Sequence, residues 1–323
     1  MPSPNAVFTE LVTTTWRKHA KHLKDNVSKN NALLRRLDKK GMKRKEDGGL
    51  TIVQGLDYAA NGTYQRYSGY DVLNVGASDV LTAAEFQWRQ IAINIVASGM
   101  ELRINNGGNK IVNLTKAKIK NAIRTAQNNF SVDLYSDGTL ANQINGIQAL
   151  ISDTGAGTVG GIDSSVWTFW KNKVQSAAAP LGGGAAVTMS ASTIESLMLA
   201  LWLELVRGDD KPDLLIASND YFTLYEQSQI SLKRYTSSDE GDGGFVSMKY
   251  KNADVIFDGG SGIPASRMYF TNTDYIELVE HTEAAWTEMS ELQPYNQDAV
   301  VIPILWMGNL TTGNRSLQGV MKP

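Results

Sequence analysis

The sequence predicts an α+β fold on three observations. Strand-like alternation of apolar and polar residues occurs in two separated stretches, 86–96 and 268–306; one long helical pattern runs from 111 to 134; and a helix, strand, helix rhythm covers 192–229. At 323 residues, 42% hydrophobic and 20% charged, the chain suits one large globular domain or two closely joined ones. Its longest apolar run, Ala299 to Met307, is nine residues and contains Pro303, far short of the roughly 20 needed to span a bilayer. The opening residues lack a basic start followed by an apolar stretch, so no signal peptide is read and intracellular folding is expected.

The first elements belong to a basic arm. Val7, Leu11, Trp16, His19, Leu23 and Val27 recur at helical spacing, and Leu33, Leu34 and Leu37 form a second short set that stops at Gly41. Between Arg17 and Glu46 stand twelve Lys and Arg against three acids, a balance of +9, so the remainder of a chain with net charge -2 carries -11. The narrow apolar faces are expected to dock on another surface. Charge complementarity suggests the acidic body of a second copy, with Arg17, Lys18, Lys21, Arg35 and Arg36 at the contact and the inner face also meeting DNA.

Strands at Leu50–Val53 and Phe86–Val96 flank a turn-rich stretch that holds Tyr58, Tyr64, Arg66, Tyr67 and Tyr70. That composition suits a contact surface on a projecting hairpin. The following helix, from Ile111 to Leu134, would be about 36 Å long, with Lys110, Lys116, Lys118 and Lys120 on its outer face. Two glycine-rich connectors, 155–161 and 181–186, enclose a helix expected to begin near Asp163 and to carry Trp167 and Trp170. A capping box at Ser192–Glu195 opens a helix whose buried face is Ile194, Leu197, Met198, Leu201, Trp202 and Leu205. Residues 213–218 then read as a short buried strand and Asn219–Gln229 as a helix. An acidic, glycine-rich exposed loop follows at 235–244. Strands end the chain, and Pro303 places the last long one at a sheet edge or on a bulge.

Most catalytic chemistry has no residues to work with. The chain has no cysteine and only three histidines, His19, His22 and His281. His19 and His22 read as part of the basic helix and His281 as structural. Phosphate-loop, dinucleotide, zincin and nucleophile-elbow patterns are absent, and the glycines at 157–161 read as a linker. Asp57, Asp79, Asp133, Glu195, Asp258 and Glu280 sit near element ends and could supply a carboxylate pair, although solvated surface acids explain them as well. A two-carboxylate carbohydrate-active enzyme is the alternative from another functional class. No cofactor, metal or catalytic residue is expected.

Gly49-Leu-Thr-Ile-Val53 with Tyr64-Gln-Arg-Tyr-Ser-Gly-Tyr70, Asn121-Ala-Ile-Arg-Thr-Ala126 with Asp133-Leu-Tyr-Ser-Asp-Gly138, and Val301-Ile-Pro-Ile-Leu-Trp-Met-Gly-Asn-Leu310 follow one another in an informative order. Across nearly its whole length the chain resembles the major capsid protein of tailed bacteriophages, whose shell-forming fold is shared with encapsulins and herpesvirus capsids. The resemblance implies an N-terminal arm (1–48), an extended β-hairpin loop (49–106), a peripheral domain with a long spine helix (107–184), an axial α/β domain (185–258) and return strands of the peripheral domain (259–323). It implies self-assembly, in hexamers and pentamers, into an icosahedral shell enclosing double-stranded DNA bound without sequence preference. Scaffolding, portal and decoration proteins would be partners, no membrane would be involved, and the site would be the virion capsid, assembled in the host cytoplasm. Tyr64, Arg66, Tyr67 and Tyr70 would contact a neighbouring subunit, and Asp239, Glu240 and Asp242 would lie near a capsomer axis. No lysine occurs between Lys45 and Lys110, so lysine–asparagine cross-linking from the extended loop is not expected. The structured pattern starts within the first ten residues, so a cleaved scaffold segment is not expected either. An encapsulin-like compartment holding enzyme cargo is the rival within the same fold.

Overall fold

The computed structural model of the protein describes residues 31–100, 108–230, 247–257, 262–290, 292–293 and 295–323. Outside them lie the first arm segment with Arg17, Lys18, Lys21, His19 and His22, the acidic trio Asp239, Glu240 and Asp242, and Asp258.

Helix α1 (Ala32–Lys40) is the second arm segment. The Asn31 side chain accepts from the Leu34 N–H, and Gly41, at φ 72°, ends the helix by donating its N–H to the Asp38 carbonyl. The expected stop at Gly41 is therefore met. The apolar face does dock on another surface, that of its own chain, where Leu33, Leu34 and Leu37 are all buried in the main core.

Four strands follow: β1 (Lys43–Glu46), β2 (Ile52–Asp57), β3 (Leu81–Phe86) and β4 (Arg89–Ser98). β2 and β3 form an antiparallel hairpin that joins neither large sheet. Helix α2 (Gly108–Asp133) has 26 residues, about 39 Å at 1.5 Å per residue, and buries Ile119, Ala126 and Phe130. A short helix α3 (Ile147–Leu150) leads to a two-residue ribbon, β5 (Thr158–Val159) and β6 (Ile162–Asp163). The helix expected from Asp163 is a single 3-10 turn, Thr168–Trp170. The Asp163 carboxylate accepts from both the backbone N–H and the hydroxyl of Ser165, closing a local turn, and the stretch has no apolar periodicity to extend a helix.

The remaining elements are β7 (Lys173–Ser176), α4 (Ile194–Leu205), β8 (Leu214–Ala217), α5 (Asn219–Ile230), β9 (Ser247–Tyr250), β10 (Ala253–Phe257), β11 (Met268–Thr271), β12 (Ile276–Glu288), β13 (Ala299–Thr312) and β14 (Gly319–Lys322). All six residues expected on the inner face of α4 are buried. Its capping box is not formed. Thr193, not Ser192, is the N-cap and makes no side-chain cap bond, while the Glu195 carboxylate accepts from Ser228 and Gln229 of α5.

Two sheets organise the molecule, one in the order β1-β12-β13-β4 and one in the order β7-β14-β11-β8-β10-β9. Residues 185–258 supply α4, α5, β8, β9 and β10, while β7, β11 and β14 from either side of that stretch complete the six-stranded sheet. Leu215 and Ala217 of β8 face the core that includes α4 and α5, whereas Leu214 and Ile216 face the main core. Burial on both faces explains why β8 reads as an unbroken apolar run.

Pro303 lies in β13, an inner strand, not at an edge. Its carbonyl accepts from the Met289 N–H at 2.9 Å, just beyond the last paired residue of β12, so its missing donor falls where that ladder ends. The register of β12 shifts twice between Glu280 and Thr287. There Trp286, at φ 59°, turns into the core against Phe130 and Trp306, with ring centroids 5.5 and 6.2 Å away.

Candidate assembly surfaces

The β2–β3 hairpin is anchored at its root. Ile52, Gln54 and Leu56 point inward from β2, and Ala84 and Phe86 from β3. Gln54 donates to Glu277 and Thr311, each at 2.9 Å. The Glu85 N–H donates to the Gly160 carbonyl at 2.9 Å. Gly160 has φ +58°, and a Cβ there would come within 2.8 Å of the Ala84 methyl, so the tip of the β5–β6 ribbon must be glycine to clasp β3. Arg315 holds that ribbon from behind. Its guanidinium is buried and donates to Leu150 O at 2.7 Å, Ser152 Oγ at 3.1 Å and Ser164 Oγ at 3.2 Å, with no carboxylate partner among the described residues. Burial alone pulls its pKa down to about 10.

Beyond the root, residues 58–80 form a loop built in the opposite sense from a core. Thr63 donates its N–H and hydroxyl to Asn61 Oδ1 at 2.9 and 2.7 Å, and Ser78 donates to the same oxygen. Gln65 reaches across the loop, donating to Val72 O and accepting from the Asn74 N–H. Polar groups thus satisfy one another along the loop, while its large apolar side chains face water. Tyr64 is 82% exposed, Tyr67 65%, Tyr70 fully, Val72 92% and Val75 91%. Arg66 is exposed among them. The tyrosines were legible as contact residues from composition. Val72, Leu73 and Val75 were not, because isolated apolar residues in a turn-rich stretch show no periodicity.

The arm residues divide. Arg36 donates through Nε to Asp213 at 2.9 Å and pairs through Nη1 with Asp254 at 3.2 Å; Lys40 bridges Asp213 at 3.0 Å and Asp274 at 2.7 Å. The acidic surface that receives Arg36 here is that of its own chain. The apolar face of α1 seats it there and leaves these side chains within reach of the acids. Arg35 is half-buried on the same helix. Burial raises the cost of a charge on Asp213, but donation from the Thr273 hydroxyl and N–H, with Lys40 and Arg36 nearby, outweighs it and holds the carboxyl below its ordinary value.

The candidate carboxylates serve local structure. Asp133 accepts from Gln143 at 3.1 Å, Glu195 joins α4 to α5, and Glu280, buried, accepts from Trp306 Nε1 at 3.0 Å. Asp57 and Asp79 are exposed at the base of the loop. His281 packs edge-on against Trp88. Two cavities, of about 430 and 500 Å³, are lined by no carboxylate, and no cluster of metal-ligating side chains occurs among the described residues.

No family model matches the sequence, and no curated protein matches it. Solved structures do share its architecture. A chain of the cyanophage A-1(L) capsid asymmetric unit superposes with a TM-score of 0.62 at 14% identity, covering 88% of this chain and 91% of that one. A chain of Mycobacterium phage Bobi gives 0.54 at 7% identity, with 88% and 89% covered. A chain from the capsid of the native GTA particle gives 0.54 at 10% identity, with 88% of each covered. With its projecting hairpin, long spine helix and two sheets in this order, the chain has the shell-forming fold of tailed-phage capsid proteins.

Proposed function

We propose that the protein is the major capsid protein of a tailed phage, a subunit that binds copies of itself into a closed icosahedral shell around double-stranded DNA. One observation carries the reading beyond the fold. On a capsid-type body, loop 58–80 ties its polar groups to one another and presents Tyr64, Tyr67, Tyr70, Val72 and Val75 to water. So many large apolar side chains exposed in one loop are characteristic of a binding site, and tyrosine with Arg66 is the composition of an interface anchor. Hexamers and pentamers of the chain are the assemblies this entails. Scaffolding, portal and decoration proteins, and DNA held through charge alone, are the remaining partners. The protein's place is then the virion shell, built in the host cytoplasm, with Arg17, Lys18, Lys21 and Arg35 meeting neighbours or DNA and Asp239, Glu240 and Asp242 near a capsomer axis. The carboxylate-pair enzyme draws no support from this arrangement, since Asp133, Glu195 and Glu280 are each held in a structural hydrogen bond.

The test is electron microscopy and light scattering of the purified chain, alone and with a scaffolding protein. Closed shells of uniform diameter are expected, and their nucleic-acid content separates a genome container from a cargo compartment. A monomer at every concentration and salt, with or without scaffold, would overturn the reading.

A further inference from the structure

The two edges of the four-stranded sheet differ in kind. β1 forms one edge and reads Lys43-Arg44-Lys45-Glu46, a row of charges of the sort that repels foreign strands. β4 forms the other edge, ten residues long, and from Gln90 to Ser98 it holds no charged residue and no proline.

The register says which backbone groups face outward. Pro303 stands opposite Asn94 and points its carbonyl toward Met289, away from β4. Asn94 therefore points its own N–H and C=O away from β13, and Gln90, Ala92 and Val96 do the same at alternate positions. The Val96 carbonyl accepts from Lys118 Nζ at 2.8 Å. From Gln90 to Asn94 these backbone groups have no backbone partner among the described residues, and the side chains of Gln90, Ala92 and Asn94 are exposed.

At the start of this edge opens the cavity of about 430 Å³, walled by Trp88, Arg89, Gln90, Ile91 and Trp306 among others. The Arg89 Nε–H is sealed from solvent and has no hydrogen-bond partner among the described residues. A carboxylate is the natural partner for a guanidinium N–H in such a place.

We propose that β4 is a strand acceptor, and that its occupant is segment 71–80 from the loop of a second copy; this rests on the shell reading above. The segment has no strand partner of its own, displays Val72, Leu73 and Val75, and carries Asp79, which is exposed and pairs with nothing among the described residues. Laid antiparallel with Asp79 opposite Arg89, the segment puts that carboxylate on the face of β4 that carries Arg89 and brings Val75 opposite Ile93. Backbone bonds along the edge supply affinity, and the carboxylate in the cavity sets the register.

Because the chain lacks cysteine, introduced thiols report this contact without background. Ile93→Cys combined with Val75→Cys should link subunits into ladders on non-reducing gels after assembly and oxidation. Ala92→Pro removes an outward N–H and leaves the β13 ladder whole, so its unfolding midpoint should stay near that of the parent while assembly falls about tenfold. Arg89→Asp and Asp79→Arg should each impair assembly and together restore it. If the parent forms shells but the thiols stay unlinked and Ala92→Pro assembles normally, the strand acceptor is overturned and the shell reading stands. If the parent forms no shells under any condition, the shell reading fails and takes this proposal with it.

Discussion

Removing Tyr64 and Tyr70 together separates folding from assembly. Neither side chain packs against the body: both stand in water at the outer loop, which is held by Asn61, Gln65, Asn74 and Ser78 without their help. Tyr64→Ala/Tyr70→Ala should therefore leave the unfolding free energy of the monomer within about 0.5 kcal/mol of the parent. In the shell each ring would be desolvated, and a buried interface tyrosine contributes about 2 kcal/mol. That is about 30-fold in association per ring, or close to a thousandfold if the two act independently. Urea unfolding followed by tryptophan fluorescence measures the first quantity, and light scattering across protein concentration measures the second. Assembly at the parental concentration would refute the argument, because the rings would then be ornaments of the loop. A large loss of monomer stability would refute it too, since the loop would then be part of the core.

Three other outcomes follow from the anchoring contacts. Asp213→Asn should cost about 2 to 3 kcal/mol in chemical unfolding, since it strips Arg36, Lys40 and the Thr273 donors of a charged acceptor. In the parent, the folded pKa of this carboxyl lies below its unfolded value, so its contribution is full above about pH 4 and fades as pH falls through the folded value; Asp213→Asn should flatten that part of the stability profile. Gly160→Val forces a side chain onto Ala84 at φ +58° and should cost about 2 kcal/mol or more, together with faster proteolysis at the hairpin root. Arg315→Met leaves the Leu150 carbonyl and two hydroxyls without their buried donor and should cost about 3 kcal/mol, read by the same unfolding titration.

Periodicity carried the parts of the fold that rest on one buried face. The six inner residues of α4, the apolar run of β8 and the stop of α1 at Gly41 are each local consequences of side-chain spacing or backbone freedom, so all three could be read directly from sequence. Asp163 misled because an acid placed to cap a helix instead closes a local turn with Ser165, leaving only the single 3-10 turn Thr168–Trp170. Pro303 misled because an inner strand can host proline where its neighbour's ladder runs out, a fact of register that no single strand records. Of the assembly surface, the tyrosines and Arg66 were visible as composition. The polar network of Asn61 and Gln65 joins close neighbours in a turn-rich loop whose bonding shows no periodicity, while the fate of Arg36 and the unguarded β4 edge depend on residues far apart in the chain that only folding brings together.

The guanidinium of Arg315 is held by carbonyls and hydroxyls, none of which titrates in acid, and its own pKa near 10 lies far from any acidic transition. The Arg315 support behind the β5–β6 ribbon therefore offers neither protons nor added salt a countercharge to neutralise. The fastening of α1 is the reverse, a set of opposite charges on Arg36, Lys40, Asp213, Asp254 and Asp274. Acidification therefore weakens the charged part of the α1 fastening first, while its buried leucines and the ribbon clasp on the hairpin are untouched.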